Sequence, residues 1–227
     1  MDEIKYSKPV KPSDQVRFRC KRCAECCRHM EGVIPLESKD AFYLAKHLNL
    51  SMTEFIEKYT DAFVLGSVDY PVLMLKAVGP KKSCIFLKGN HCTVQEVKPR
   101  ACRMYPFWID IDTENGGFAY NFSTDRPHHP NGTLIRVRHW MEKYFTEEDK
   151  AFLSEDWRSA KEIGPIFDSA KLVGVPLIEL QKEILVFKYF AFEYDKPFLE
   201  QQRRNNAHLK SRLEQLINNF IEHGGKK

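Results

Sequence analysis

Four cysteines stand within eight residues in the stretch CKRCAECC, which begins at residue 20. The chain has seven cysteines in 227 residues, so more than half of its thiols lie in this one stretch. Such density is typical of a disulfide framework, a metal site or a reactive thiol. A chain of this length that is 43% hydrophobic buries a sizeable core without disulfides. The cysteine run therefore indicates a chemical role for the thiols rather than structural disulfide bonds.

The start of the chain predicts the compartment. MDEIKYSKPV carries acids and lysines where an export signal would be apolar, and no run approaches the length of about 18 apolar residues that a membrane helix needs. We therefore expect a soluble, cytoplasmic protein without a membrane partner. Thiols stay reduced in that compartment, which favours a metal or redox site over disulfides. A net charge of +4 without a concentrated basic face argues against a nucleic-acid partner.

The spacing of the first three cysteines suits a metal. Cys20, Cys23 and Cys26 follow the C-x2-C-x2-C pattern, in which a tight loop directs thiolates at one centre. The run is like the start of a bacterial ferredoxin loop, but Met30 stands where the fourth local ligand would be. Any fourth thiolate should therefore come from the downstream cysteines, which are Cys84, Cys92 and Cys102.

The adjacent pair Cys26 and Cys27 is predicted to have unequal roles. Neighbouring side chains in an extended segment point to opposite sides, so the two thiols are not expected to serve one ion. Cys26 completes the regular spacing, and Cys27 would serve a second site or remain a spare thiol. A vicinal dithiol switch and a small buried hydrophobic residue are the alternatives for this pair.

The fold class predicted is α+β, with a small antiparallel sheet and an N-terminal cysteine loop enclosing the metal site, flanked by helices. Short apolar segments between residues 72 and 122 predict strands, and capping signals at Ser51 and at Thr146 predict helix starts. Apolar residues also recur on one face of a C-terminal helix; they are Leu209, Leu213, Leu216, Ile217 and Phe220. We expect a cysteine-cluster domain over 15–125 and a helical extension packed on it over 126–227.

Cysteine identity leaves zinc and iron both open. Zinc accepts four thiolates in a tetrahedron, and iron–sulfur clusters are also held by four cysteines. Seven thiols exceed what one zinc needs and suit two clusters, with His29 or His91 conceivable as an additional ligand. Several cations near the cysteines could offset thiolate charge or form a solvated surface; they are Arg22, Arg28, Lys81, Lys82, Arg100 and Arg103.

CKRCAECC, followed downstream by CIFLKGNHCTVQEVKPRACRMYPF, resembles the YkgJ-type cysteine-cluster family of zinc- or iron-chelating proteins. The resemblance covers about residues 18 to 108. It implies that all seven cysteines form the metal- and cofactor-binding set, which is Cys20, Cys23, Cys26, Cys27, Cys84, Cys92 and Cys102. Members of the family are related to flagellin lysine N-methylases, which are thought to use an iron–sulfur cluster.

The chain departs from the family pattern at a few positions. Ala24 stands where members often have Gly after the second cysteine, and Asn90 stands where they tend to have Gly before the sixth. Lys98 precedes Pro99 where an Arg is usual. Asn tolerates a left-handed turn, and Lys keeps the charge of Arg but not its bidentate geometry.

The function we favour from the sequence is binding of one or two iron–sulfur clusters of the [4Fe-4S] type. Its role would be electron transfer, cluster handling or support of protein modification, with a protein partner. The alternatives are a structural zinc-binding interaction module and a flagellin-type protein lysine N-methyltransferase. Whether the protein is an enzyme stays open, and no catalytic residue is assigned. The spacing C-x3-C-x2-C of radical chemistry with S-adenosylmethionine does not occur.

Overall fold

The structure is a computed structural model that describes residues 7–65, 69–113, 116–124 and 132–223. It consists of two compact units, and each contains two segments of the chain. The first, here called the cysteine unit, comprises residues 1–34 and 77–154; the second, the helical unit, comprises residues 35–76 and 155–227. The boundary predicted between 125 and 126 falls outside the described residues and stays a prediction.

Short strands and helices build the cysteine unit. A three-stranded antiparallel sheet has the order β1–β10–β9, and β2 pairs with β11; the ranges are β1 Ser7–Val10, β2 Gln15–Arg17, β9 Phe107–Ile111, β10 Phe118–Ser123 and β11 Leu134–Arg136. Two small hairpins lie between these strands: β5 Ala77–Val78 with β6 Ser83–Cys84, and β7 Leu87–Lys88 with β8 His91–Cys92. The helices are α3 Arg100–Met104, α4 Val137–Tyr144 and the first part of α5 Glu147–Val173.

The core of the cysteine unit lies between the three-stranded sheet and α4. Alternate residues of β9, Phe107 and Ile109, are buried because successive side chains of a strand face opposite sides of the sheet. They pack with Phe122 of β10 and with Met141 of α4. This packing holds β9, and therefore the preceding helix α3 that carries Cys102, in a fixed position.

Helices and one β-hairpin form the helical unit. Its elements are α1 Ser38–His47, α2 Met52–Tyr59, β3 Thr60–Leu65, β4 Tyr70–Leu75, the remainder of α5, α6 Leu177–Leu185, a π-helical turn Val186–Phe190 and α7 Phe198–Glu222. Leu180 and Ile184 of α6 are buried against Leu209 and Leu213 of α7. None of the helices in the described part of the chain is both long and apolar enough to cross a membrane.

The predicted fold class is confirmed: the chain is mixed α and β, with small antiparallel sheets and a helical C-terminal half. Both capping signals form. The Ser51 hydroxyl accepts from the Glu54 backbone N–H at 3.3 Å, and the Thr146 hydroxyl accepts from that of Asp149 at 3.1 Å. The strands form separate small sheets rather than one, since the segment 70–75 pairs with β3 and belongs to the helical unit.

Candidate metal centre

Two segments of the cysteine unit supply the thiols. The first is the loop 19–24, which has no regular structure and leads into a single 3-10 turn, Glu25–Cys27. Arg22 and Ala24 lie in the left-handed region, with φ of 53° and 59°. Members of the family often have Gly after the second cysteine, and Gly adopts this left-handed conformation without backbone strain. Ala24 adopts the same conformation with some backbone strain.

Phe18 anchors the start of this loop. Its ring is buried and makes edge contacts with Tyr105 and Trp140, at centroid distances of 6.4 and 5.4 Å. Its backbone N–H donates to the Thr133 carbonyl at 3.0 Å. A Cβ atom at Gly132 would lie 2.3 Å from the Phe18 carbonyl carbon, so only glycine fits beside the chain entering the cysteine loop.

The second segment carries Cys84, Cys92 and Cys102 on three different elements. Cys84 ends β6 and pairs with Ala77 of β5, and Cys92 ends β8 and pairs with Leu87 of β7. Cys102 lies in the middle of the short helix α3. Each of these cysteines is therefore held by backbone hydrogen bonds of a hairpin or helix, whereas the N-terminal cysteines depend on contacts to their loop.

Arg28 is the main side-chain link between the two segments. Its guanidinium donates to the Cys23 carbonyl at 2.7 Å and to the Asn90 side-chain oxygen at 2.8 Å. Asn90 thus has a hydrogen-bonding role, and the residue in the left-handed turn is Gly89, one position earlier. Close by, the His29 backbone N–H donates to the Lys81 carbonyl at 3.0 Å. The two cysteine segments are therefore joined by backbone and side-chain bonds together.

The cysteines gather around one cavity of about 340 Å³. Five of them line it: Cys20, Cys23, Cys26, Cys27 and Cys92. The remaining two, Cys84 and Cys102, lie close enough to act electrostatically on Cys27. All seven thiols are free of disulfide bonds. The structure thus brings together in one region cysteines that are up to 82 residues apart in the sequence, from Cys20 to Cys102.

Cys26 and Cys27 do not diverge. Their sulfur atoms lie 3.8 Å apart, so the expectation based on an extended segment is wrong. The physical reason is local: Glu25–Cys27 is a 3-10 turn, in which consecutive side chains project about a third of a turn apart rather than to opposite faces. The two thiols can therefore act on the same ligand.

Hydrogen bonding makes the two thiols of this pair electrostatically unequal. The bond between them raises the pKa of Cys26, and burial raises it further. The same bond lowers the pKa of Cys27, against burial and the neighbouring thiols. Burial raises the pKa of Cys84 to about 11. In the absence of a metal, Cys27 is therefore the first thiol of this pair to ionise.

The donor set fits zinc or iron in its chemistry, because both are held by thiolates. In the described ranges, no three His, Cys, Asp or Glu side chains are already arranged to hold a metal ion. The thiols instead line a space.

Other side chains complete the cavity, and the sequence analysis missed most of them as lining residues. They are Phe18, Lys21, Arg22, Ala24, Leu87, Asn90, His91, Gln95 and Lys98. Of the two histidines considered as ligands, His91 lines the cavity and His29 is not among its lining residues. Lys21 lies inside the cysteine run, and Lys98 precedes a proline of the family pattern. These positions were the sequence signal that could have identified both lysines as lining residues of the cavity.

Comparison with known proteins identifies the segment that carries this cavity. Residues 19–128 match the family described as "CxxCxxCC: Putative zinc- or iron-chelating domain". This segment is similar to that family. The match agrees with the YkgJ-type resemblance and supports metal binding by the cysteine unit, with zinc and iron as the two candidates.

One curated relative is an uncharacterized protein of Methanocaldococcus jannaschii, 29% identical over 98 residues. The alignment covers 42% of this chain and 48% of the relative, so the chain spans about half the length of this curated relative. No solved structure matches the chain.

Proposed function

We propose that the cysteine unit binds an iron–sulfur cluster of the [4Fe-4S] type; a second cluster would need one ligand besides the seven thiols, such as a histidine. The observation that carries the proposal is that thiols from two chain segments line one cavity of about 340 Å³ instead of converging on a point. A cluster of several irons and sulfides is bulkier than one ion and is held by four cysteines. Seven thiols exceed the four that a single zinc takes.

Cys20, Cys23 and Cys26 would provide the local triplet, and a fourth thiolate would come from Cys84, Cys92 or Cys102. Cys27 lies beside Cys26 and is the first of the pair to ionise, so it is available to the same site or to a second one. Cationic side chains in the cavity lining would offset part of the thiolate charge. A bound cluster would supply one-electron chemistry, for electron transfer, cluster handling or support of protein modification. A set of thiols without disulfide bonds also suits the reducing cytoplasm, where we place the protein.

The experiment is anaerobic purification followed by analysis of iron, zinc and acid-labile sulfide. We expect brown protein with broad absorbance near 400 nm, a range typical of thiolate-bound clusters, and iron and sulfide in equal amounts. Replacing Cys20 or Cys23 by Ser should remove iron and sulfide together. Stoichiometric zinc without sulfide in anaerobic material would overturn the proposal.

A structural zinc site is the second candidate, and one distance favours it. Ligands of a tetrahedral zinc with Zn–S bonds of about 2.3 Å have their sulfurs about 3.8 Å apart. The Cys26 and Cys27 sulfurs lie 3.8 Å apart. A zinc site would contribute directly to folding, so a chelator should lower the melting temperature of a zinc-loaded preparation. A flagellin-type lysine methyltransferase activity stays a sequence prediction.

A further inference from the structure

The charged side chains that line the cysteine cavity all have the same sign. They are Lys21, Arg22 and Lys98, and no carboxylate is among the described lining residues. His91 is the remaining titratable nitrogen group there. The cavity therefore concentrates positive charge beside the thiols, although the chain as a whole carries only +4.

Lys21, Arg22 and Lys98 differ from Arg28 and Lys82 because they have no acidic partner among the described residues. Arg28 lies 3.5 Å from Glu25, and Lys82 lies 2.8 Å from Glu31. By contrast, no carboxylate in the described ranges forms an ion pair with Lys21, Arg22 or Lys98. The positive charge at the cavity is thus available to a ligand.

The three cations differ in how exposed their side chains are. Lys98 is half-buried, and its charge acts on the Cys26 thiol. Lys21 and Arg22 are exposed. The backbone at Arg22 is held in the left-handed region, with φ of 53°, which fixes the direction of the loop between the first two cysteines. Two exposed cations therefore stand in the cavity lining on a defined loop.

We propose that Lys21 and Arg22 dock a carboxylate-rich segment of a partner protein at the mouth of the cysteine cavity. Docking would bring a partner to the cluster, and in this respect the inference rests on the proposed function. The docking itself depends on charge alone. Complementary charge steers encounter and orients partners over about one Debye length, roughly 8 Å at physiological salt. Nucleic acid is the less suitable ligand because Phe18, the phenyl ring of the lining, is buried and offers no surface for base stacking.

The test uses the full chain, purified anaerobically, and fluorescein-labelled poly-L-glutamate as the probe. Binding is measured by fluorescence anisotropy at low and at physiological salt for the native chain and for the double variant Lys21→Gln/Arg22→Gln. A matched control, Lys182→Gln/Arg204→Gln, removes one exposed lysine and one exposed arginine from α6 and α7. We expect the first variant to bind roughly threefold more weakly or worse, and the control to bind like the native chain. The charge-conserving variant Lys21→Arg/Arg22→Lys should retain binding.

Absence of poly-L-glutamate binding, or equal weakening in the control, would overturn the inference. So would tighter binding of a single-stranded oligonucleotide or of phosphatidylserine vesicles with the same dependence on Lys21 and Arg22, since the partner would then be a nucleic acid or a membrane. Iron and sulfide are measured on the same samples. Zinc-loaded protein that binds the probe refutes only the cluster, whereas cluster-loaded protein that does not bind refutes only the docking.

Discussion

Arg103 donates two hydrogen bonds to Asp149, at 2.8 and 2.7 Å, and the Asp149 side chain is 1% exposed. The same arginine donates from Nε to the Tyr144 carbonyl at 3.1 Å. Because Arg103 directly follows Cys102, this pair ties the helix that carries a candidate ligand to the first turn of α5. Arg103 is therefore a positioning residue for Cys102, and its charge is paired with Asp149.

Replacing Asp149 by Ala should lower the free energy of unfolding by about 3 kcal/mol, because it leaves Arg103 without its buried partner and removes a helix cap. It should also reduce metal content through Cys102. The control is Glu147→Ala in the same turn, where the lost ion pair with Lys150 is exposed and should change stability by less than about 0.5 kcal/mol. Equal effects of the two substitutions, by denaturant titration, would contradict this account.

The link from Arg28 to Asn90 predicts coupling between the two cysteine segments. Arg28→Ala and Asn90→Ala should each reduce metal retention, and a double-mutant cycle should show a coupling of about 1 kcal/mol in unfolding. Lys82→Ala removes a surface pair with Glu31 and serves as the comparison. Additive effects of the two link variants would show that Arg28 and Asn90 act independently.

The left-handed backbone at Ala24 predicts that Gly is tolerated better than Val at this position. Ala24→Gly should keep metal content and change stability by no more than about 1 kcal/mol, because Gly suits φ of 59° but loses more entropy on folding. Ala24→Val should lose metal and about 2 kcal/mol or more, since a β-branched residue strongly disfavours that conformation. Metal analysis and thermal melts of the two variants measure this, and full loading of the Val variant would count against a constrained loop.

Lys98 predicts the redox behaviour of a bound cluster. Lys98→Gln should make the midpoint potential more negative, on the order of tens of millivolts, because losing a nearby positive charge disfavours the added electron. Lys98→Arg keeps the charge and should leave the potential close to that of the native protein. Redox titration followed by absorbance or EPR compares the three proteins. An unchanged potential in a fully loaded Gln variant would separate Lys98 from the cluster.

In the metal-free protein, Cys27 should react with iodoacetamide before Cys26 at neutral pH. The pKa of Cys27 is lowered by the hydrogen bond and that of Cys26 is raised, so at any pH below both values Cys27 holds the larger thiolate fraction. Mass spectrometry of peptides from anaerobic, time-resolved labelling gives the order. Cys26→Ala removes the hydrogen bond that lowers the pKa of Cys27 and should slow labelling of Cys27. Faster labelling of Cys26 in the native chain would reverse the assignment.

The sequence by itself determined features that depend on neighbouring residues or on chemistry. The seven cysteines follow the order found in a metal-chelating family, and this order predicts metal binding by thiolates without knowledge of the fold. The reason is that thiolate ligands select zinc or iron. The capping signals at Ser51 and Thr146 were also readable, since each bond spans three residues. The face of α7 that buries Leu209 and Leu213 followed from helical periodicity.

Tertiary structure alone decided which side chains share the site. Arg28 bonds to Asn90 across 62 residues of sequence, and Arg103 bonds to Asp149 across 46. No local sequence pattern therefore distinguishes these two paired arginines from Lys21 and Arg22, which line the cavity. The approach of Cys26 to Cys27 is a local effect of a 3-10 turn, but the cysteine spacing does not specify that turn. Sequence periodicity reports the local backbone, whereas pairing of charges and thiols depends on how distant segments are brought together by packing.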